Sequence, residues 1–132
     1  MINYPEKAVY TYDDLVDILR ILRAPGGCPW DREQTFDSLR SNTIEETYEL
    51  ADAITAHDME AIKEELGDLL FSAVNVSRFV KVDAEEALTA ASDKFLLRFT
   101  EVEHMAAERG IDMKTAGIET LDRLWDEAKL QK

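Results

Sequence analysis

Apolar residues recur every three or four positions along almost the whole chain, and the strict alternation of a half-buried strand is missing. This pattern predicts an all-α protein. Leu15, Ile18, Leu19 and Leu22 form one stripe over 12–23, and the stop that follows, "APGGCPW", carries two prolines and two glycines. A loop is expected over 24–35, then a second helix over 36–56. "HDME" supplies a turn in which Asp58 can cap a third helix over 59–80. Asp83 can cap a fourth helix, which Gly110 ends, and a last helix is expected over 117–130. Short connections between amphipathic helices predict a helical bundle in which the second and third helices are antiparallel neighbours.

The polar positions of those two helices are unusual. "IEETYELADAI" brings Glu45, Glu46, Glu49 and Asp52 together, and "KEELGDLLFSAVNV" repeats the theme with Glu64, Glu65 and Asp68. Glu46 and Glu49 project from one helix face with Glu45 beside them, and Glu65 and Asp68 do the same on the next helix. The second stripe continues through Ser72, Asn75 and Phe79, as an inward-facing stripe does. Lys63 is too little base to neutralise so many acids. Gly67, mid-helix at a cost of ~1 kcal/mol relative to Ala, suggests a close approach to its backbone.

Carboxylates gathered without counter-charge raise one another's pKa and call for a cation between them. All-oxygen ligation suits a hard ion, and Mg²⁺ keeps water-filled positions that phosphate oxygens can take; Mn²⁺ is a substitute. A ferritin-like di-iron centre needs two Glu-x-x-His pairs, and Glu101 with His104 supplies one. No EF-hand loop occurs. A solvated acidic face remains the ordinary alternative.

Composition narrows the setting. The 132 residues suit one domain over 1–132, with 1–11 as an N-terminal extension. A formal charge of −13 opposes binding to a nucleic acid polymer or an anionic membrane, although bound divalent cations invert the local potential for a small phosphorylated ligand. Cys28 stands alone, and no apolar stretch approaches a membrane span. A soluble cytoplasmic protein is expected.

Taken together, "EETYE" and "ELGD" resemble the EExxE and ExxD signature of the MazG-type nucleoside triphosphate pyrophosphohydrolases, in the all-α NTP pyrophosphohydrolase superfamily. "LRAPGGCPWDREQTFDSLRSNTIEETYELADAI", "EELGDLLFSAVN" and "KFLLRF" extend the resemblance over most of 13–130. It implies an all-α fold with the acidic hairpin at its centre, a homodimer or homotetramer, and Mg²⁺-dependent cleavage of (d)NTPs between the α and β phosphates. Carried over by position, Glu46, Glu49, Glu65 and Asp68 would ligate Mg²⁺, and Glu45 would touch a further metal or orient water. Which of Glu45 and Glu46 acts as base stays open. Lys94 and Arg98 would contact the phosphate chain, and Trp125 with Lys129 the nucleotide; Asn75 and Trp30 are further substrate candidates. Phe95 and Phe99 read as core. The chain has a single unit where related proteins are duplicated, with an opening like their first half and a tail like their second. A binding or dimerisation module without turnover is the alternative, as is a related enzyme acting on dUTP, dCTP or a phosphoribosylated nucleotide.

Overall fold

A computed structural model describes residues 2–131. Six helices follow one another, with no strand among the described residues: α1 (Tyr12–Arg23), α2 (Pro29–Arg32), α3 (Phe36–Thr55), α4 (Met59–Phe79), α5 (Ala84–Glu108) and α6 (Ile118–Leu130). The protein is all-α.

Local chemistry sets most of the boundaries. Thr11 and Asp14 form a capping box on α1: the Asp14 amide donates to Thr11 Oγ1 at 3.3 Å and the Thr11 amide to Asp14 Oδ2 at 2.8 Å. Thr35 and Ser38 repeat the device on α3, at 3.1 and 2.9 Å. Asp58 Oδ1 accepts from the Ala61 amide at 3.2 Å, so the expected cap of α4 forms. The one element not anticipated is α2, a single turn inside the expected loop with Pro29 in its first turn. The turn before it needs glycine. Cys28 N–H donates to Leu22 O at 2.8 Å, and a Cβ at Gly27 would run into that same carbonyl oxygen. Gly110, at φ 66°, closes α5 in the left-handed region.

The chain divides after Ala84 into two compact units. In the first, α3 and α4 form an antiparallel hairpin joined by a tight turn at His57 (φ 54°), and α1 packs on both α2 and α4. Leu19, Leu39 and Ala53 are its buried apolar residues, with Ser72 and Ser77 buried beside them. At the open end of the hairpin Phe36 meets Phe79 edge to face at 5.0 Å, and the Arg23 guanidinium lies 4.7 Å over the Phe79 ring.

In the second unit Val102, Met105 and Ala106 of α5 close on Leu124 and Ala128 of α6, with Leu121 and Trp125 packed against them. Removing the Leu124 side chain would cost roughly 2–5 kcal/mol. Arg109 ties the two helices from outside, donating to Glu127 at 3.0 and 2.6 Å. Phe95 and Phe99 are not core: they are 53% and 39% exposed and stack on each other at 5.9 Å. The buried core begins at Val102, beyond both phenylalanines; Phe95 still meets α6 through the Trp125 ring at 5.6 Å, but without being buried there.

Candidate functional site

The hairpin is built in rungs. Phe36 faces Phe79; about two turns further along α3, Asn42 donates from Nδ2 to Ser72 Oγ at 2.7 Å. About two turns beyond that, Glu46 and Glu49 of α3 converge with Glu65 of α4, one carboxylate oxygen from each lying within 4.8 Å of the others. The helical repeat that spaces the acids in sequence therefore stacks them against the opposite helix.

This cluster lacks compensation. Glu46 and Glu65 are half-buried, and Oε2 of each is sealed from solvent with no hydrogen-bond partner. Desolvation is the main cause that pushes both carboxyls above the ordinary glutamate range. Beyond desolvation, Glu49 raises both through its charge and a side-chain hydrogen bond, and the Asp68 charge acts on both, with Glu45 adding to Glu46 and Glu64 to Glu65. The largest causes all raise these pKa values, and none of them is a basic group. An orphaned buried oxygen on each side of a three-carboxylate cluster is what a hard divalent cation would satisfy, so the residues present fit such an ion.

The other residues singled out from the sequence fall into three groups. Asp68 and Glu45 are exposed, outside the triad but near enough to act on Glu46 electrostatically. Asn75 is half-buried on α4, one turn past Ser72, and Trp30 is 82% exposed on α2. Lys94, Arg98, Trp125 and Lys129 belong to the second unit. There Lys94 and Arg98 line one groove of about 590 Å³ with Asp93, Leu97 and Glu101. Trp125 stands 5.6 Å from Phe95 and packs against the Leu124 core. Lys129 Nζ lies 3.6 Å from Asp126. One expectation fails: a Cβ on Gly67 would meet nothing within 4 Å. Gly67 precedes Asp68 by one residue, about 100° around the helix, and so turns away from the seam that Asp68 borders.

Asn42 was missed. It precedes Glu46 by four residues, a spacing that puts both on one face, but only the hairpin register reveals its partner Ser72.

An antiparallel helical hairpin with an uncompensated carboxylate cluster across its seam defines a candidate divalent-metal site in an all-α protein. The model of the MazG nucleotide pyrophosphohydrolase domain matches residues 34–102, which hold every residue of that cluster. The chain belongs to this family. Over 125 residues, 91% of the chain, it is 35% identical to a nucleoside triphosphate pyrophosphohydrolase of Escherichia coli, of which the match covers 46%. It is also 45% identical over 81 residues, 61% of the chain, to the nucleoside triphosphate pyrophosphohydrolase/pyrophosphatase MazG of Thermotoga maritima, covering 32% of that protein. The uncharacterized protein YabN of Bacillus subtilis is 48% identical over 68 residues, 52% of the chain and 14% of that protein. The chain thus spans less than half the length of these curated relatives.

Proposed function

We propose that this chain hydrolyses nucleoside triphosphates between the α and β phosphates to monophosphate and pyrophosphate, with Mg²⁺ as cofactor and Mn²⁺ as a substitute. The observation that carries the reading is the Glu46–Glu49–Glu65 cluster with its two sealed, unpartnered oxygens, in a chain of the MazG family. The names of the E. coli and T. maritima relatives supply the substrate class.

Glu46, Glu49 and Glu65 would hold the ion, and Asp68, exposed beside them, would complete the set. Held there, Mg²⁺ would supply charge neutralisation for phosphate oxygens and for the pyrophosphate leaving group. The protein's own groups then have three tasks. Glu45, on the exposed flank of Glu46, orients the attacking water, and one of these two glutamates accepts its proton. Lys94 and Arg98, which share one groove, donate to phosphate oxygens, Arg98 through a fork suited to bidentate contact. Asn75 offers an amide to sugar or base, while Lys129, Trp125 and Trp30 provide a charge and two aromatic faces for the nucleotide.

Self-association as a homodimer or homotetramer belongs to the same reading. Leu70 and Phe71 on α4 and Leu96 and Leu97 on α5 are each at least 49% exposed. A second copy would cover such side chains. The charge of −13 keeps nucleic acid polymers and anionic membranes from being partners, and among the described residues no helix is long and apolar enough to cross a membrane. A role in cleaning or regulating the cytoplasmic nucleotide pool belongs to the same reading.

The test is ³¹P NMR of the purified protein with a panel of NTPs and dNTPs, in Mg²⁺ and then in excess EDTA. Metal-dependent appearance of monophosphate and pyrophosphate is expected. Diphosphate with orthophosphate would place the cut at another bond. No turnover of any nucleotide, with Mg²⁺ still bound, would make the chain a binding module.

A further inference from the structure

Between the aromatic end of the hairpin and its acidic rung lies a polar contact that the proposed chemistry does not use. Asn42 Nδ2 donates to Ser72 Oγ at 2.7 Å, and Ser72 is 2% exposed. Asn42 stands one turn before Glu46 on α3, and Ser72 one turn after Asp68 on α4. The contact therefore adjoins both strings of carboxylates.

We propose that the Asn42–Ser72 hydrogen bond is the register pin of the hairpin, aligning α3 against α4 so that Glu46 and Glu49 meet Glu65 at a separation that holds a divalent cation. The inference rests on the metal reading of the carboxylate cluster. Three observations support it. First, the acidic rung brings carboxylates of both helices within 4.8 Å of one another, and like-charged groups that close supply no attraction that selects this alignment. Second, the apolar contacts that flank it constrain register weakly. Phe36 is 73% exposed, and the buried apolar seam of α3 consists of Leu39 and Ala53. Third, a slip of one turn moves a residue about 5.4 Å along the seam, more than the 4.8 Å that spans the cluster. The same slip strips the buried Ser72 hydroxyl of its donor. A buried polar pair that penalises every register but one is a known use of such pairs in packed helices.

Asn42 and Ser72 are thus positioning residues, and their loss should appear in metal affinity before it appears in folding. Replacing both by apolar groups, Asn42→Leu with Ser72→Ala, removes the pin without leaving an unpaired buried partner. Mn²⁺ binding, followed by the free-ion EPR signal, is the primary readout, with far-UV circular dichroism on the same samples. Native protein is expected to bind Mn²⁺, and the double variant to keep its helical content while its dissociation constant rises about tenfold or more, as for other outer-shell changes around metal ligands. Nucleotide hydrolysis by the variant should need correspondingly more metal yet recover at saturating Mn²⁺. A folded double variant that binds Mn²⁺ as tightly as the native chain overturns the proposal. Should the double variant not fold, Asn42→Ala, at an exposed position, decides the matter: weaker Mn²⁺ binding upholds the pin and unchanged binding overturns it. Native protein that binds no Mn²⁺ would instead overturn the metal reading itself, a result visible before any variant is made.

Discussion

Glutamates meet opposite fates in the two units of this chain. Glu127 on α6 receives both arms of Arg109, at 3.0 and 2.6 Å, and that hydrogen bond is the main cause holding its carboxyl below the ordinary range. Glu46 and Glu65 on the α3–α4 hairpin have sealed oxygens with no donor at all, and theirs are pushed above it. Both units belong to the same strongly acidic chain, so overall charge does not explain the difference. A carboxylate that serves structure is given a cation by the fold. The fold gives the sealed oxygens of the hairpin carboxylates no such partner.

The largest effect that would break this contrast concerns turnover. If Glu49 and Asp68 serve the ion, Glu49→Ala and Asp68→Ala should each lower the rate of pyrophosphate release by at least about a hundredfold, with helical content kept. An enzyme assay alongside circular dichroism checks this, and a folded variant that hydrolyses at the native rate would remove its residue from the site.

The next effect sharpens the contrast through stability. For Glu46 and Glu65 the folded-state pKa lies above the unfolded value, so the metal-free protein gains stability as pH falls through the raised range and loses it as the pair ionises toward neutral pH. Thermal scans without metal should therefore give a higher midpoint just above pH 5 than at pH 7.5. Glu46→Gln or Glu65→Gln should raise the midpoint at pH 7.5, and so should Mg²⁺ added to the native chain.

Glu127 should behave in the reverse sense. Its pKa is depressed in the folded state, so the contribution of the Arg109 pair is present above the unfolded value near 4.5 and fades as pH falls through the lowered one. Arg109→Ala should lower the midpoint modestly at pH 7, and that effect should shrink as pH falls below the ordinary glutamate range. Smallest of all is the cap of α1. Thr11→Ala should cost about 1 kcal/mol in a denaturant titration. Asp14, held at about 2 by Lys7 and by the Thr11 amide, should keep its share of that helix end until pH falls from 3.8 toward about 2.

What was legible in the sequence was whatever short-range chemistry decides. Asp58 and Gly110 fix helix ends through contacts within a few residues, and the bounds of α1, α3 and α4 follow from the pattern almost residue by residue. That Glu46, Glu49 and Glu65 share a face with their neighbours follows from helical spacing alone. What depended on the packing of one helix against another was not legible. The Asn42–Ser72 bond joins residues thirty apart, and no spacing rule announces it. Phe95 and Phe99 look like core because their face is continuous with Val102, yet the side chains that close on α6 start at Val102, and Phe95 reaches α6 only at the Trp125 ring. Gly67 looked like a point of close approach and instead turns to open space. The single turn α2 was hidden because loop composition and a Pro-initiated turn read alike over so few residues.

The measurement that bears most directly on the uncompensated cluster is a ¹³C NMR pH titration of the glutamate side-chain carboxyls, with and without Mg²⁺. Two glutamates, identified as Glu46 and Glu65 by their Gln variants, should titrate above the ordinary range in metal-free protein and drop below it once Mg²⁺ is bound, while Glu127 stays low in both. Glu46 and Glu65 titrating as ordinary surface glutamates, indifferent to Mg²⁺, would contradict the account.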